Sequence, residues 1–298
     1  DPAASPFASG PLPADAGLGA SILRPSTFGE LIREQEALQT GTILDRLCLR
    51  SNGEEALGGL PRGCTLAFGG PPGKGKTRTA LAALVRVAAG GQNVGLVVAE
   101  EGFRDLDGSG RDDLCSRLTK IGTSLTGLDE DAFRAQVLEH TFVIESQYHR
   151  GQTWDDFVAR YRYLVEVEGI RFVVIDSLNM LDASRGRTAN NLSALKTYNH
   201  EHGVTALCLG QVKDTGQPVG GEAMVHAADV VFLIEELSLT SKDMAALWGG
   251  QYRDKIDVLR AVKSVTTPTT PHLVRIVQSP STGVIEVHPD HPEDYPLL

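Results

Sequence analysis

Two hydrophobic periods alternate along the chain. Short, continuous apolar runs at 64–68, 93–99, 141–144, 171–176, 204–209 and 230–234 read as strands buried on both faces. Between them lie stretches whose apolar residues recur at helical spacing. One covers 78–89 and is rich in Ala and Leu, a second carries Leu114, Leu118 and Ile121, and another carries Leu192, Leu195 and Tyr198. The stretch 153–168 has Thr153 as a cap, Asp155 and Asp156 in its first turn, and Phe157, Val158, Tyr161, Leu164 and Val165 on one side. Strands alternating with helices predict an α/β fold, a mainly parallel sheet flanked by helices with right-handed crossovers. The last apolar runs, 256–262, 273–277 and 284–287, follow one another with only turns between. They predict antiparallel strands at the C-terminal edge. No second core and no internal repeat is visible.

The segments between these elements have their own signatures. Residues 1–25 are rich in Ala, Pro, Gly and Ser and read as a mobile arm. Ser26 can cap a helix over 27–38, with Phe28, Leu31, Ile32 and Leu38 on its apolar side, able to dock on its own domain or on a neighbouring subunit. Residues 41–63 form a turn-rich lead-in. Polar loops are expected at 104–113, at 182–190 with Arg185 and Arg187, and at 213–221 with Lys213. Residues 238–254 read as an irregular insertion and 289–298 as a loose end. The resulting division is an arm and docking helix over 1–40, one domain over 41–292, and a tail over 293–298.

Composition narrows the class. Hydrophobic residues make up 41% and charged residues 22%, an ordinary globular balance. No apolar run is long enough to span a bilayer, so no membrane partner is expected. The first residues lack a basic region followed by an apolar core, and no secretory signal is expected. The chain begins with Asp1, which reads as a start inside a longer numbering or a fragment. The four cysteines, Cys48, Cys64, Cys115 and Cys208, form no C-x-x-C pair; scattered thiols fit a reducing compartment, the cytoplasm. A formal net charge of -10 argues against a uniformly basic surface for polyanions, though a few loops could still line a basic channel.

The chemistry lies at the ends of the predicted strands, where open α/β sheets bind ligands. Gly70, Pro71, Pro72, Gly73, Lys74, Gly75, Lys76 and Thr77 spell G-x-x-x-x-G-K-[ST], and Arg78 follows. This is the Walker A phosphate-binding loop, and it sits between a buried strand and a helix start, where backbone N–H groups and the helix dipole can hold phosphate oxygens. Lys76 would reach the β- and γ-phosphates and Thr77 would take one position on Mg²⁺. Asp176 closes an apolar strand before Ser177, the Walker B pattern of a carboxylate that orients Mg²⁺; the alternative is a strand-end cap. Glu100 and Glu101 end the strand after the Walker A helix. Neighbours on an extended segment point opposite ways, so one of them can polarise water for attack on a γ-phosphate. Glu100 is the preferred base, and a solvated acidic turn is the alternative. Gln211 ends the strand 204–209, where its amide could sense the γ-phosphate or bond only to loop backbone. His200 and His202 have the wrong spacing for a shared metal face. Trp154 and Trp248 read as packing residues.

In this order the motifs resemble the RecA superfamily and, more closely, its RadA/Sms and KaiC branch. Gly58-Gly-Leu-Pro-Arg-Gly63, Phe68-Gly-Gly-Pro-Pro-Gly73 and Val98-Ala-Glu-Glu101 are similar to that branch. So are Gln211-Val-Lys-Asp-Thr-Gly-Gln-Pro-Val-Gly-Gly221 through His226, Asp229-Val-Val231 and Gly283-Val-Ile-Glu-Val287. The resemblance spans about residues 41–290. It implies a RecA-like P-loop NTPase core, an Mg²⁺-dependent ATPase using ATP, and a homo-oligomeric ring or filament, expected as a hexamer with ATP between subunits. The sequence carries neither the four-cysteine zinc module nor the Lon-like domain of RadA proteins. Their K-N-R-F-G motif stands here as Lys263-Ser-Val-Thr-Thr267, leaving Lys263 as the candidate cation for a neighbour's γ-phosphate. The implied work is that of a RadA-like motor in DNA recombination or repair, with Arg185, Arg187 and Lys213 facing single-stranded DNA. The alternative is a KaiC-like switch or scaffold acting on a protein partner, engaged through the N-terminal arm.

Overall fold

The computed structural model describes residues 23–29, 32–105, 110, 112–147, 150–177, 181, 188–211 and 227–297. The chain divides into two units, Asp1–Glu34 and Gln35–Leu298. In the first, Pro25–Thr27 forms a single 3₁₀ turn. The second contains the sheet and everything that follows.

The described residues of that unit build a nine-stranded sheet. Its strands are β3 (Thr65–Gly70), β4 (Val94–Val98), β5 (Thr141–Glu145), β6 (Phe172–Asp176), β7 (Thr205–Gln211), β8 (Val230–Ser238), β9 (Lys255–Ser264), β10 (Val274–Gln278) and β11 (Ile285–Val287). The order across the sheet is β11-β10-β9-β8-β3-β7-β6-β4-β5. From β8 to β5 all neighbours run parallel. From β8 to β11 they run antiparallel. A mainly parallel sheet with an antiparallel C-terminal edge is what the alternating periods predict. A separate two-stranded pair, β1 (Ala37–Leu38) and β2 (Leu60–Pro61), lies before β3.

The parallel strands read as continuous apolar runs because both faces are covered. On one face Leu66 and Phe68 of β3, Leu96 and Val98 of β4 and Leu207 and Leu209 of β7 share a cluster with the helices α1 (Lys76–Ala89), α2 (Leu114–Thr126) and α3 (Glu130–Gln136). The intervening residues Ala67, Val97, Ala206 and Cys208 point the other way. They join α4 (Trp154–Glu166) and α5 (Thr188–His202) through Phe157, Tyr161, Leu164, Leu192 and Leu195. This is period-two geometry with a hydrophobic partner on each side. Beneath the second face, Tyr161 donates to the Asn199 side chain (2.7 Å), and Asn199 donates to the Thr65 hydroxyl (2.8 Å). The buried polar atoms of α4, α5 and β3 thus satisfy one another. Burial holds the Cys48 and Cys208 thiols up at about 12, so they are unreactive packing groups.

Helix ends carry the expected chemistry. Asp113 caps α2 by accepting from the Ser116 N–H, and left-handed Gly127 ends it. Thr153 and Asp156 form a full capping box on α4.

Residues 41–63 are turn-rich as expected, with a 3₁₀ turn at Ile43–Arg46 and a bridge from Leu49 to Ala56. Three expectations need correction. The helix over 27–38 is not formed, because residues 32–36 are irregular and Ala37–Leu38 pairs with Leu60–Pro61. A long-range strand pairing wins over local helical periodicity. The insertion 238–254 contains a helix, α6 (Lys242–Leu247), capped by Ser241. Its Trp248 builds a satellite cluster with Leu239, Ala245, Ile256 and Val258, an apolar cluster apart from the two on the sheet faces. The C-terminal residues are not loose either: Tyr295 stacks on Trp248, and Leu297 accepts from Arg46 (2.8 Å).

Candidate active site

The β3–α1 turn puts Gly70 to Thr77 at the carboxyl end of the central strands. Gly75 sits at φ 85° as the cap of α1, and a Cβ there would lie 2.8 Å from the Gly283 carbonyl. Both the left-handed conformation and the close approach require glycine. Lys76, the first residue of α1, is buried and folds back over the loop, donating to the carbonyls of Gly70 (2.8 Å) and Pro71 (2.7 Å). The Thr77 hydroxyl donates to the Asp176 carboxylate at 2.8 Å.

A cleft of about 220 Å³ opens here. Lys76, Thr77, Glu100, Glu101, Asp176 and Ser177 line it together. The two motifs and the acidic strand end, far apart in sequence, therefore meet because β3, β6 and β4 end at one level of the sheet. Removal from water pushes the Asp176 carboxyl up to about 6, and the charges of Glu100 and Glu101 push the same way against Thr77 and Lys76. Burial lowers the Lys76 amine, opposed by Asp176 and Glu100. Three carboxylates, Asp176, Glu100 and Glu101, line the cleft with Lys76. Among the described residues no group of three or more His, Cys, Asp and Glu could hold a metal alone. A hydroxyl and a carboxylate 2.8 Å apart instead fit Mg²⁺, which takes few protein oxygens and completes its shell with water and phosphate. The Ser177 hydroxyl is buried and has no hydrogen-bond partner among the described residues.

A second recess, about 370 Å³, shares Gly73, Lys76 and Thr77 and adds Lys74, Arg78, Arg117 and Gln278. The antiparallel edge braces the loop from this side. Lys74 pairs with Asp257 of β9 at 2.8 Å, and Gln278 of β10 donates to the Gly73 carbonyl at 2.9 Å. Arg78 donates to the Thr282 carbonyl at 3.1 Å, and Thr79 accepts from the Ile285 N–H at 3.0 Å.

The expected site residues separate into four groups. Lys76, Thr77, Asp176, Glu100 and Glu101 are brought together, with Pro72, Gly73, Lys74, Gly75 and Arg78 around them. Gln211 ends β7 in register with Gly70, which puts its backbone beside the loop. Lys263 lies on β9, where it donates to the Ala228 carbonyl at 2.9 Å. Arg185, Arg187 and Lys213 lie outside the described residues. Sequence reading missed Arg117, Asp112, Asp257 and Gln278. Asp257 left a faint signal, a carboxylate interrupting the apolar run of β9; the others had none.

Comparison with known proteins bears on the family and the fold. The family model described as "ATPase: KaiC" matches residues 38–255, well over half of the chain. Among solved structures, the chain is similar to the KaiC-like protein PH0186 from the hyperthermophilic archaeon Pyrococcus horikoshii OT3. That match has a TM-score of 0.60 and 18% identity over 86% of this chain and 100% of the other, a likeness of fold. No curated protein matches the chain.

Proposed function

The chain belongs to the KaiC ATPase family, and on that premise we propose that it binds Mg²⁺–ATP in the cleft at the β3–α1 turn and hydrolyses it there. The observation that carries this reading is the convergence of Lys76, Thr77, Asp176, Glu100 and Glu101 on one cleft. Lys76 exchanges the Gly70 and Pro71 carbonyls for phosphate oxygens. Thr77 and Asp176 would hold Mg²⁺, which when bound would supply charge neutralisation at the phosphates. Glu100 orients and deprotonates the attacking water. Gln211 senses the γ-phosphate from the end of β7. Lys76→Ala is expected to abolish ATP turnover, and Glu100→Gln to retain ATP binding while slowing hydrolysis by about 100-fold or more. Normal turnover in Glu100→Gln together with a dead Glu101→Gln would reassign the base.

The proposed assembly is a homo-oligomer, a hexamer, with nucleotide between subunits and Lys263 reaching a neighbour's γ-phosphate. The proposed work is a nucleotide-dependent switch or scaffold on a protein partner, in the cytoplasm. The net charge of -10 supports this over a DNA motor. The RadA-like loop from Gln211 to Gly221 favours the second reading, a motor on single-stranded DNA through Arg185, Arg187 and Lys213. Titration of single-stranded DNA at low salt with ATP present separates them. Binding with a steep salt slope that is lost on mutating those three residues supports the motor; no binding by the assembled ring removes it.

A further inference from the structure

Two acidic residues end β4, and they are not equivalent. The Arg117 guanidinium holds Glu101 with two contacts, Nη1 to Oε1 and Nη2 to Oε2, both at 2.9 Å. The pair is half-buried, with side chains 21% and 30% exposed. Two parallel charge-assisted bonds of this kind fix orientation as well as charge. Arg117 stands in the first turn of α2 and is aimed further by the Asp112 carbonyl, which accepts from Nε and Nη2 at 3.1 Å. The Asp112 carboxylate lies 3.6 Å from Arg117 Nε and also reaches Lys120 (2.7 Å) and Arg78 (3.8 Å), the residue after Thr77.

Arg117 also lines the recess beside Gly73 to Arg78. Each cation there already has an acceptor. Lys74 has Asp257, Arg78 has Asp112 and the Thr282 carbonyl, and Lys76 has two loop carbonyls. Of these four cations, Arg117 is the one whose partner is a carboxylate that also lines the cleft with Asp176 and Thr77. A phosphate group entering the recess adds anionic oxygens for which a guanidinium fork is well matched.

We propose that Arg117 is a positioning residue for which Glu101 and nucleotide phosphate compete. With Arg117 on Glu101, one of the two strand-end carboxylates is neutralised and pinned. Phosphate in the recess draws the guanidinium away and releases Glu101, so occupancy of the phosphate site is read at the strand end that serves hydrolysis. This rests on the nucleotide-binding reading of the cleft.

The test is equilibrium binding of a fluorescent ATP analogue at low ionic strength to the full chain and to Glu101→Gln, Arg117→Gln, Arg117→Lys, the double variant Glu101→Gln/Arg117→Gln, and Lys76→Ala. Glu101→Gln removes the cleft-side partner of Arg117, leaving its Asp112 contacts, and should tighten binding by about two- to fivefold, the size of a partly exposed ion pair. Arg117→Gln should weaken binding, and Arg117→Lys should restore part of it. In the Arg117→Gln background Glu101→Gln should have no further effect, a non-additivity that a merely structural contact would not produce. Thermal midpoints show whether each variant is folded. If Arg117→Gln is not, Arg117→Lys takes its place in the cycle, with the same loss of the Glu101→Gln effect in smaller measure. An unchanged or weaker affinity in Glu101→Gln, or an equal gain in both backgrounds, overturns the proposal while leaving nucleotide binding intact. Absence of binding by the parent chain, with Lys76→Ala no different, overturns the nucleotide reading and this inference with it.

Discussion

The parallel and antiparallel halves of the sheet serve the same loop differently. In the parallel half, β3, β4 and β6 deliver Lys76, Thr77, Glu100, Glu101 and Asp176 into the cleft from their carboxyl ends. There the groups strain against their surroundings: Asp176 is largely removed from water beside two like charges, and Lys76 is a buried amine. In the antiparallel half, β9, β10 and the turn before β11 touch the loop only from outside, through Asp257, Gln278 and the Thr282 carbonyl. These contacts are satisfied pairs that hold shape. One half therefore gives up stability for chemistry, and the other restores geometry.

The largest test of that contrast is Asp176→Asn. The Asp176 carboxyl is raised from 3.8 to about 6, so without metal its ionised form opposes folding at pH 7, and this cost fades as pH falls through 6. Asn keeps an acceptor for Thr77 but carries no charge. In metal-free buffer at pH 7 it should stabilise the protein by about 1–3 kcal/mol, since each tenfold change in proton affinity is worth about 1.4 kcal/mol. Hydrolysis should fall at least about 100-fold. A lower melting temperature for Asp176→Asn under those conditions would show that the cleft is not strained.

A smaller effect is expected at the brace. Lys74 and Asp257 are about equally exposed, at 29% and 30%, and 2.8 Å apart. A double-mutant cycle with Ala at each should give a coupling of about 0.5–1 kcal/mol in stability. The KM for ATP should rise about two- to fivefold in either single variant as the loop loosens. A coupling of zero would reduce the brace to a surface contact.

The two halves also differ in how far the sequence exposes them. The parallel half is legible because its information is local. Each strand is an apolar run, and each functional residue sits at the end of its own run, so Gly70–Thr77, Asp176 and the Glu100–Glu101 pair can be found one at a time. The Asn199–Thr65 bond and the Lys74–Asp257 pair join residues over a hundred positions apart. Nothing near Lys74 announces a carboxylate on β9. The helix expected over 27–38 fails for the same reason, since the partner of Leu38 is Leu60. Arg117 is the instructive omission. Nothing in the sequence marks it, yet Asp113 caps α2 and Arg117 in its first turn meets Glu101.

The last contrast is in response to acid, and it is the weakest. His288 follows β11 and accepts from the Asp290 N–H through Nδ1 at 3.0 Å, which requires that nitrogen to be unprotonated. Burial lowers its pKa, the Arg275 guanidinium of β10 adds to this, and Asp290 opposes it. A base held below its ordinary 6.5 contributes stability that is complete above 6.5 and is lost as pH falls through its folded value. This is the opposite sign to Asp176, whose cost shrinks over the same range. His288→Asn keeps an acceptor near the Nδ1 position but does not titrate. Between pH 7.5 and pH 5.5 its melting temperature should fall less than that of the parent chain, while the pH dependence that Asp176 confers should be unchanged. Parallel melting curves for the two proteins across that interval would mean that the antiparallel edge does not sense acid through His288.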